Sequence, residues 1–149
     1  MTIVAAPAHI PSGHAARVQA GCSRCVQTES WWSTAPYRDP ASQLPPHRTM
    51  ARLGPRGIIV HITRSWEPSP PPWEHTRRPI AIRGGLVTAS FEGNTTRGRV
   101  SLWQASTWRS GSFVTVWVLF GRPRPTAAQV RRAQRVLDAT RYPVWRVKR

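Results

Sequence analysis

The chain has 149 residues and a formal net charge of +16, from 22 lysines and arginines against 6 aspartates and glutamates. Hydrophobic residues make up 40% of it and eight residues are tryptophan, which excludes a fully disordered chain. The longest apolar run, 113–120, has the length of a strand, so no transmembrane segment is predicted. The N-terminus lacks the pattern of a secretory signal. The sequence therefore predicts a cytoplasmic protein, or an extracytoplasmic one if translation starts at another codon.

Positive charge is concentrated in the later part of the chain. Residues 1–50 hold four basic and two acidic residues, a net charge of +2, and residues 51–149 hold 18 and four, a net charge of +14. A field of this strength attracts polyanions such as nucleic acid or acidic proteins. All but one of the basic residues are arginine. Since Arg, Pro, Ala, Gly and Trp share GC-rich codons, genome composition is an alternative explanation of the excess.

Residues 1–30 are rich in Ala, Pro, Ser, Gly and His and show no sustained period. This composition predicts a mobile N-terminal arm that contacts nothing, followed by a single α+β domain over residues 31–149. The arm contains a CxxC pair, Cys22 and Cys25. No second pair completes the four ligands of a structural zinc site, and no predicted strand precedes the pair as in a redox motif. Metal binding and redox chemistry remain alternatives to two incidental thiols.

Regular elements are predicted after residue 46. Met50 and Leu53 share one face of a short helix, which Gly54 is suited to end in the left-handed conformation. The β-branched run 58–62 predicts a strand. The proline-rich stretch 64–79 predicts a long irregular loop, which either covers the sheet or presents a polyproline ligand.

Three further strands are predicted, at 86–91, 100–104 and 113–120, with stretches of turn composition between them. The last strand is apolar on both faces and is expected to lie near the centre of the sheet or to be covered on both sides. Thr126 and Gln129 then predict a capping box at the start of a final helix. That helix has one apolar stripe, made of Val130, Ala133, Val136, Leu137 and Thr140.

Together these elements predict an α+β fold. It consists of a small antiparallel sheet of about four strands in a meander, with the C-terminal amphipathic helix packed on one face. The segment LGPRGIIVHI, the strand ending in Phe120-Gly121 and the capped helix resemble small uncharacterised proteins of high-GC Gram-positive bacteria, over about residues 50–145. The resemblance implies an extracytoplasmic or membrane-anchored location, although this sequence shows no anchor. It assigns no catalytic residue.

The sequence shows no recognisable catalytic centre. Nucleophile elbows, phosphate-binding loops and dinucleotide fingerprints are all missing from it. His61, Glu67 and Glu74 lie near one another along the chain, but nothing in the sequence fixes their geometry for acid–base chemistry. The prediction is therefore a small basic, non-enzymatic binding or interaction domain. No cofactor and no metal is predicted, and the sequence does not identify the partner.

The alternative prediction is a nucleic-acid-binding protein that uses arginines near the C-terminus. These arginines lie on the predicted final helix and in the segments that flank it, where they fit a solvated helix face equally well. Contacts between such a patch and phosphates give salt-dependent binding with little sequence preference. Exposed tryptophans would add stacking on unpaired bases. The candidate polyanion-binding residues are Arg122, Arg124, Arg131, Arg132, Arg135 and Arg141, and the candidate stacking residues are Trp103 and Trp108.

Overall fold

A computed structural model describes residues 2–19, 26–40, 45–66, 79–82, 87–88 and 99–148 of the chain. These residues contain eight strands and two helices. In chain order they are β1 (Thr2–Val4), β2 (His14–Gln19), β3 (Val26–Ser33), α1 (His47–Ala51), β4 (Ile58–Ser65), β5 (Val87–Thr88), β6 (Ser101–Arg109), β7 (Ser112–Phe120), α2 (Ala127–Ala139) and β8 (Arg146–Lys148).

Six of these strands form one antiparallel sheet in the order β2, β3, β4, β7, β6, β5. β7 pairs with β4 on one side and β6 on the other, which confirms its predicted place inside the sheet. The predicted α+β class, with a C-terminal helix on an antiparallel sheet, is confirmed. The sheet is wider than about four strands because β2 and β3 extend it. Neither helix in the described residues has the length and apolar character needed to cross a membrane.

The N-terminal 30 residues belong to the fold wherever the structure describes them. β1 pairs with β8, and β2 and β3 form a hairpin that joins the sheet beside β4. Ala8 and Ile10 are buried in the main core, and the backbone of His9 pairs with that of Arg141. The prediction that this region contacts nothing is therefore wrong for residues 2–19 and 26–30. Cys22 and Cys25 lie outside the described residues.

The main core lies between α2 and one face of the sheet. Alternate residues of β4 and β7 point to this face, beginning with Ile58 and Val114, and they pack with the buried Ala133 and Leu137 of α2. This packing confirms the apolar stripe that the sequence predicts. The capping box is also present, since the Thr126 hydroxyl accepts from the Gln129 amide at 3.2 Å and Gln129 Oε1 accepts from the Thr126 amide at 3.0 Å.

The short helix α1 covers part of the opposite face. Met50 is fully buried, and it packs with Leu53 against Ile59 and Leu119. Asp39 holds the start of this helix from a distant position, because its carboxylate accepts from the backbone amides of the first turn at 2.8–2.9 Å. This contact satisfies helix N–H groups that the proline at the N-cap position leaves open. Asp39 is therefore structural rather than a free surface charge.

Arg64 joins the two ends of the described chain to the sheet. Its side chain is fully buried in β4. Nε donates to Ser112 Oγ at 2.9 Å, Nη1 donates to Ala6 O at 2.7 Å and Nη2 donates to Pro143 O at 2.8 Å. Its guanidinium carbon also lies 5.2 Å from the ring centre of Trp145. One arginine of the large excess is thus part of the core, where carbonyl and hydroxyl oxygens solvate its charge.

Candidate anion-binding site

Two loops meet at one end of the sheet. The first, residues 54–57, leads into β4, and the second, residues 121–126, follows β7. Ile58 at the start of β4 pairs with Phe120 at the end of β7, so the two loops begin side by side. The amide of Gly121 donates to Gly57 O at 3.0 Å across the loops. We call these two segments the paired loops.

Close approach of the two backbones explains the glycines of the paired loops. A Cβ at Gly121 would lie 2.8 Å from the carbonyl carbon of Gly54 and would overlap the carbonyl oxygen there. A Cβ at Gly57 would overlap the side chain of Leu53. Gly54 itself faces open space, and its φ is not positive, so the prediction that it ends α1 in the left-handed conformation is wrong. The paired loops are close together because Gly121 packs against the backbone of Gly54, and the dihedral angles of Gly54 are not the cause.

Two polar side chains from other elements fasten the paired loops. Gln129 of α2, which also forms the capping box, donates from Nε2 to Pro55 O at 3.1 Å and to Gly57 O at 3.4 Å. Ser101 of β6 is fully buried and donates its hydroxyl to Arg122 O at 2.8 Å. The loop backbones are therefore fixed from the helix side and from the sheet side. The Cα positions of the arginines in the loops are fixed with them.

Five arginines surround the paired loops. Each has an exposed side chain, and none forms a salt bridge with another described residue. These arginines come from the residue after α1, the paired loops, the approach to β6 and α2, so only the folded chain brings them together. The arginine cluster, as we call it, consists of Arg52, Arg56, Arg99, Arg122 and Arg132.

The arginine cluster lines two pockets that share Arg122. The first pocket has a volume of about 550 Å³, and Arg52 and Arg99 also line it. The second has a volume of about 440 Å³, and Arg56 and Arg132 also line it, next to the first residues of α2. Both volumes lie in the range of roughly 300–1,000 Å³ that is usual for ligand pockets. No carboxylate is among the described residues that line either pocket.

Acidic residues in the described part of the chain do not offset this charge. Glu29 and Asp39 are buried, with 2% and 8% of their surface exposed. Asp138 lies near the C-terminal end of α2, one helix length from the paired loops, and accepts a hydrogen bond from Gln134 at 2.8 Å. The arginine cluster therefore presents its positive charge to solvent, a setting that favours anionic ligands.

Four of the predicted arginines lie in the site or next to it. Arg122 and Arg132 belong to the arginine cluster, and Arg132 is held with its guanidinium carbon 5.4 Å from the ring centre of Trp32. Arg124 is exposed in the second of the paired loops. Arg131 is exposed on the outer face of α2, away from the buried stripe.

The other two predicted arginines lie further from the paired loops. Arg135 is exposed one turn beyond Arg131 on α2. Arg141 follows the end of this 13-residue helix, which is about 20 Å long at 1.5 Å per residue. Arg141 is therefore not part of the site, and its backbone pairs with His9 instead.

Three arginines of the cluster were not predicted from the sequence, because they lie far from α2 along the chain: Arg52, Arg56 and Arg99. Arg56 alone had a local signal, since it lies inside the LGPRG turn. The prediction that Trp103 and Trp108 are exposed is wrong, because only 7% and 5% of their surfaces are accessible. Both lie in β6, so they contribute packing and not a stacking surface.

The candidates for acid–base and metal chemistry do not form a site in the described residues. His61 is fully buried in β4, and its Nε2 lies 3.7 Å from Glu29 Oε2, beyond hydrogen-bond distance. The ring of His61 is nearly parallel to that of Trp31, with 6.5 Å between centres. Glu67 and Glu74 lie outside the described residues. No group of three or more potential metal ligands occurs within the part of the chain that is described.

Comparison with known proteins gives no relative of this chain. No family model matches it, and no curated protein or solved structure is significantly similar to it. The chemistry of the arginine cluster must therefore be derived from its own geometry and charge.

Proposed function

We propose that the protein is a non-enzymatic binding domain for phosphate-bearing polyanions and that its ligand is nucleic acid. The observation that carries this proposal is the arginine cluster, in which five exposed arginines surround two pockets that no described acidic residue lines. Arginine stays charged at all relevant pH values, and its planar donors match two phosphate oxygens at once. The same donors also fit a carboxylate, so the choice of phosphate rests on the extent of the charged surface.

An extended ligand suits the surface better than a single small anion. Positive charge continues from the paired loops along the outer face of α2, where Arg131 and Arg135 are exposed. The helix is about 20 Å long. Double-stranded DNA carries one negative charge for roughly every 1.7 Å of its axis, so a nucleic acid reaches the arginine cluster and the helix together.

Direct evidence for the proposal would come from oligonucleotide binding at several salt concentrations, measured by fluorescence anisotropy with a labelled 20-nucleotide strand and a 20-base-pair duplex. The double variant Arg122→Gln/Arg132→Gln removes one arginine shared by both pockets and one from the second pocket. We expect weaker binding and a smaller slope of log affinity against log salt. The slope should shrink by about 1.4 for the single strand and about 1.8 for the duplex if both arginines contact phosphate.

The matched control removes the same charge from the opposite end of the sheet. Arg17 pairs across β3 with the part of β4 that holds Arg64, and Arg146 follows Trp145, which bonds to the β6–β7 turn. Both arginines are exposed. The variant Arg17→Gln/Arg146→Gln should keep the slope of the wild type. Equal losses in the two double variants would mean that net charge binds the probe and would contradict the assignment of the site.

Two further results would contradict the proposed ligand. One is the absence of binding by the wild-type protein to either oligonucleotide at moderate salt. The other is equal affinity for poly-glutamate of matched charge, because carboxylates on a polypeptide would then satisfy the arginines as well as phosphates do. In that case the partner would be an acidic protein.

A further inference from the structure

The first pocket is not lined by charge alone. Four apolar side chains form part of its wall, and two of them are exposed prolines. A site for phosphate groups only has no use for such a wall, because an apolar surface offers no hydrogen bond to an anion. The apolar residues are Ala51, Leu53, Pro55 and Pro123, and the arginines that line the same pocket are Arg52, Arg99 and Arg122.

We infer that the first pocket receives an unpaired base of a single-stranded nucleic acid, whose neighbouring phosphates the arginine cluster binds. This inference rests on the proposed function and specifies its ligand. A nucleobase has flat, weakly polar faces, and anionic phosphates flank it on both sides. An apolar wall between arginines matches that order of groups, and guanidinium planes also stack on bases.

Only an unpaired base can use this wall. In a duplex, neighbouring base pairs cover both faces of each base, so a base enters a protein pocket only from a single strand or after it is flipped out. The volume of about 550 Å³ is sufficient for a small organic group of this kind. The second pocket, which Arg56 and Arg132 also line, lies beside the first and is where a neighbouring phosphate would bind. Arg122 lines both pockets and connects the two contacts.

Gly54 provides a way to fill the first pocket without changing its charge. It lines the pocket, and a Cβ there would meet no atom within 4 Å. Gly54→Leu should therefore place an apolar side chain in the space of the base and keep every arginine. Gly54→Ala is the matched control, since one methyl group leaves most of the pocket open. Thermal unfolding of both variants checks that the fold is intact.

The test uses three probes with equal numbers of phosphates per strand. They are a single strand of twelve thymidine nucleotides, written (dT) below, an abasic strand of the same length, and a twelve-base-pair duplex. We expect the wild type to bind (dT) about tenfold more tightly than the abasic strand, which is at the weak end of what one base contact contributes. Gly54→Leu should reduce this difference to less than about twofold. Gly54→Ala should keep the difference.

On the wild-type protein alone, the three probes distinguish failure of the base pocket from failure of phosphate binding. Equal affinity for (dT) and the abasic strand would overturn the base pocket and leave phosphate binding in place. Tighter binding of the duplex than of (dT) would also overturn it. Failure of all three probes to bind would instead contradict the proposed function, and the base pocket with it.

Discussion

Gly121→Ala is the smallest change that should separate the paired loops. The added Cβ would lie 2.8 Å from the carbonyl carbon of Gly54 and closer still to its oxygen. Both are backbone atoms, so no flexible side chain can move aside. The loops must shift apart, and that shift weakens the hydrogen bond of 3.0 Å from the Gly121 amide to Gly57 O.

The cost of Gly121→Ala follows from these two effects. Forcing an extra carbon into a packed site costs about 1–3 kcal/mol. A weakened or broken backbone hydrogen bond adds about 0.5–1.5 kcal/mol. We therefore expect the free energy of unfolding to fall by about 2–4 kcal/mol. Gly54→Ala, at the residue that the new Cβ would strike, should have the opposite sign. Its Cβ meets open space, and a compatible Gly→Ala change stabilises by about 0.4–1 kcal/mol through the unfolded state.

Urea unfolding followed by far-UV circular dichroism measures both free energies. The slope m, the dependence of the free energy of unfolding on urea concentration, should be the same in each variant as in the wild type if the unfolding transition is unchanged. The oligonucleotide assay on Gly121→Ala then reports whether separating the loops disperses the arginine cluster. If Gly121→Ala and Gly54→Ala have equal stabilities, the loops do not approach as closely as the structure shows. The explanation of both glycines would then be refuted.

Two further predictions test burial elsewhere in the fold. Trp103→Ala should lower the free energy of unfolding by about 3–5 kcal/mol, because the side chain is 7% exposed and packs in the main core. A loss below about 1 kcal/mol in urea unfolding would contradict the burial of this side chain. Burial raises the pKa of Tyr142 to about 12, so the folded protein keeps a proton that the unfolded chain loses above about pH 10. Stability should therefore fall between about pH 10 and 12, by about 2–3 kcal/mol for this group, and Tyr142→Phe should remove that part of the fall in urea titrations at each pH; an unchanged pH profile would contradict it.

The elements that the sequence predicted are those whose signal is local. β4 and β7 are β-branched and apolar over most of their length, and such runs favour strands in many contexts. The capping box and apolar stripe of α2 are likewise complete within 15 residues, from Thr126 to Thr140. For this reason the helix, the central strand and the fold class could be read without knowledge of any contact.

The elements that were missed depend on distant partners. β2 has the sequence HAARVQ, in which a single residue is β-branched, and it becomes a strand by pairing with β3, which in turn pairs with β4. β6 was predicted to end at residue 104 because the stretch 106–111 has turn composition. The actual turn is confined to Ser110 and Gly111, with φ of 49° and 77°, so Trp108 lies in the strand and not in a loop.

In the candidate site, too, the residues with a local signal were predicted and those that depend on distant contacts were not. Arg122 and Arg132 were predicted because the first lies just before an obvious helix and the second lies on it. Arg52 and Arg99 were not, because only the pairing of β4 with β7 and of β7 with β6 brings their segments to one end of the sheet. The glycines of the paired loops were visible in the sequence as turn residues. Their function as points of contact between two backbones was not, since contact between segments leaves no local pattern.

Genome composition can explain how many arginines the chain has, but it does not explain how they are distributed in the described structure. Arg64 is enclosed by oxygen atoms in the core, where a random excess of charge would be strongly unfavourable. At the paired loops the reverse holds, because five arginines share one surface and no described acid neutralises them. Like charges held together in this way destabilise the isolated protein. Gln129, Ser101 and the two contacting backbones nevertheless fix the loops that carry Arg56 and Arg122, and an anionic ligand is what would convert that repulsion into binding energy.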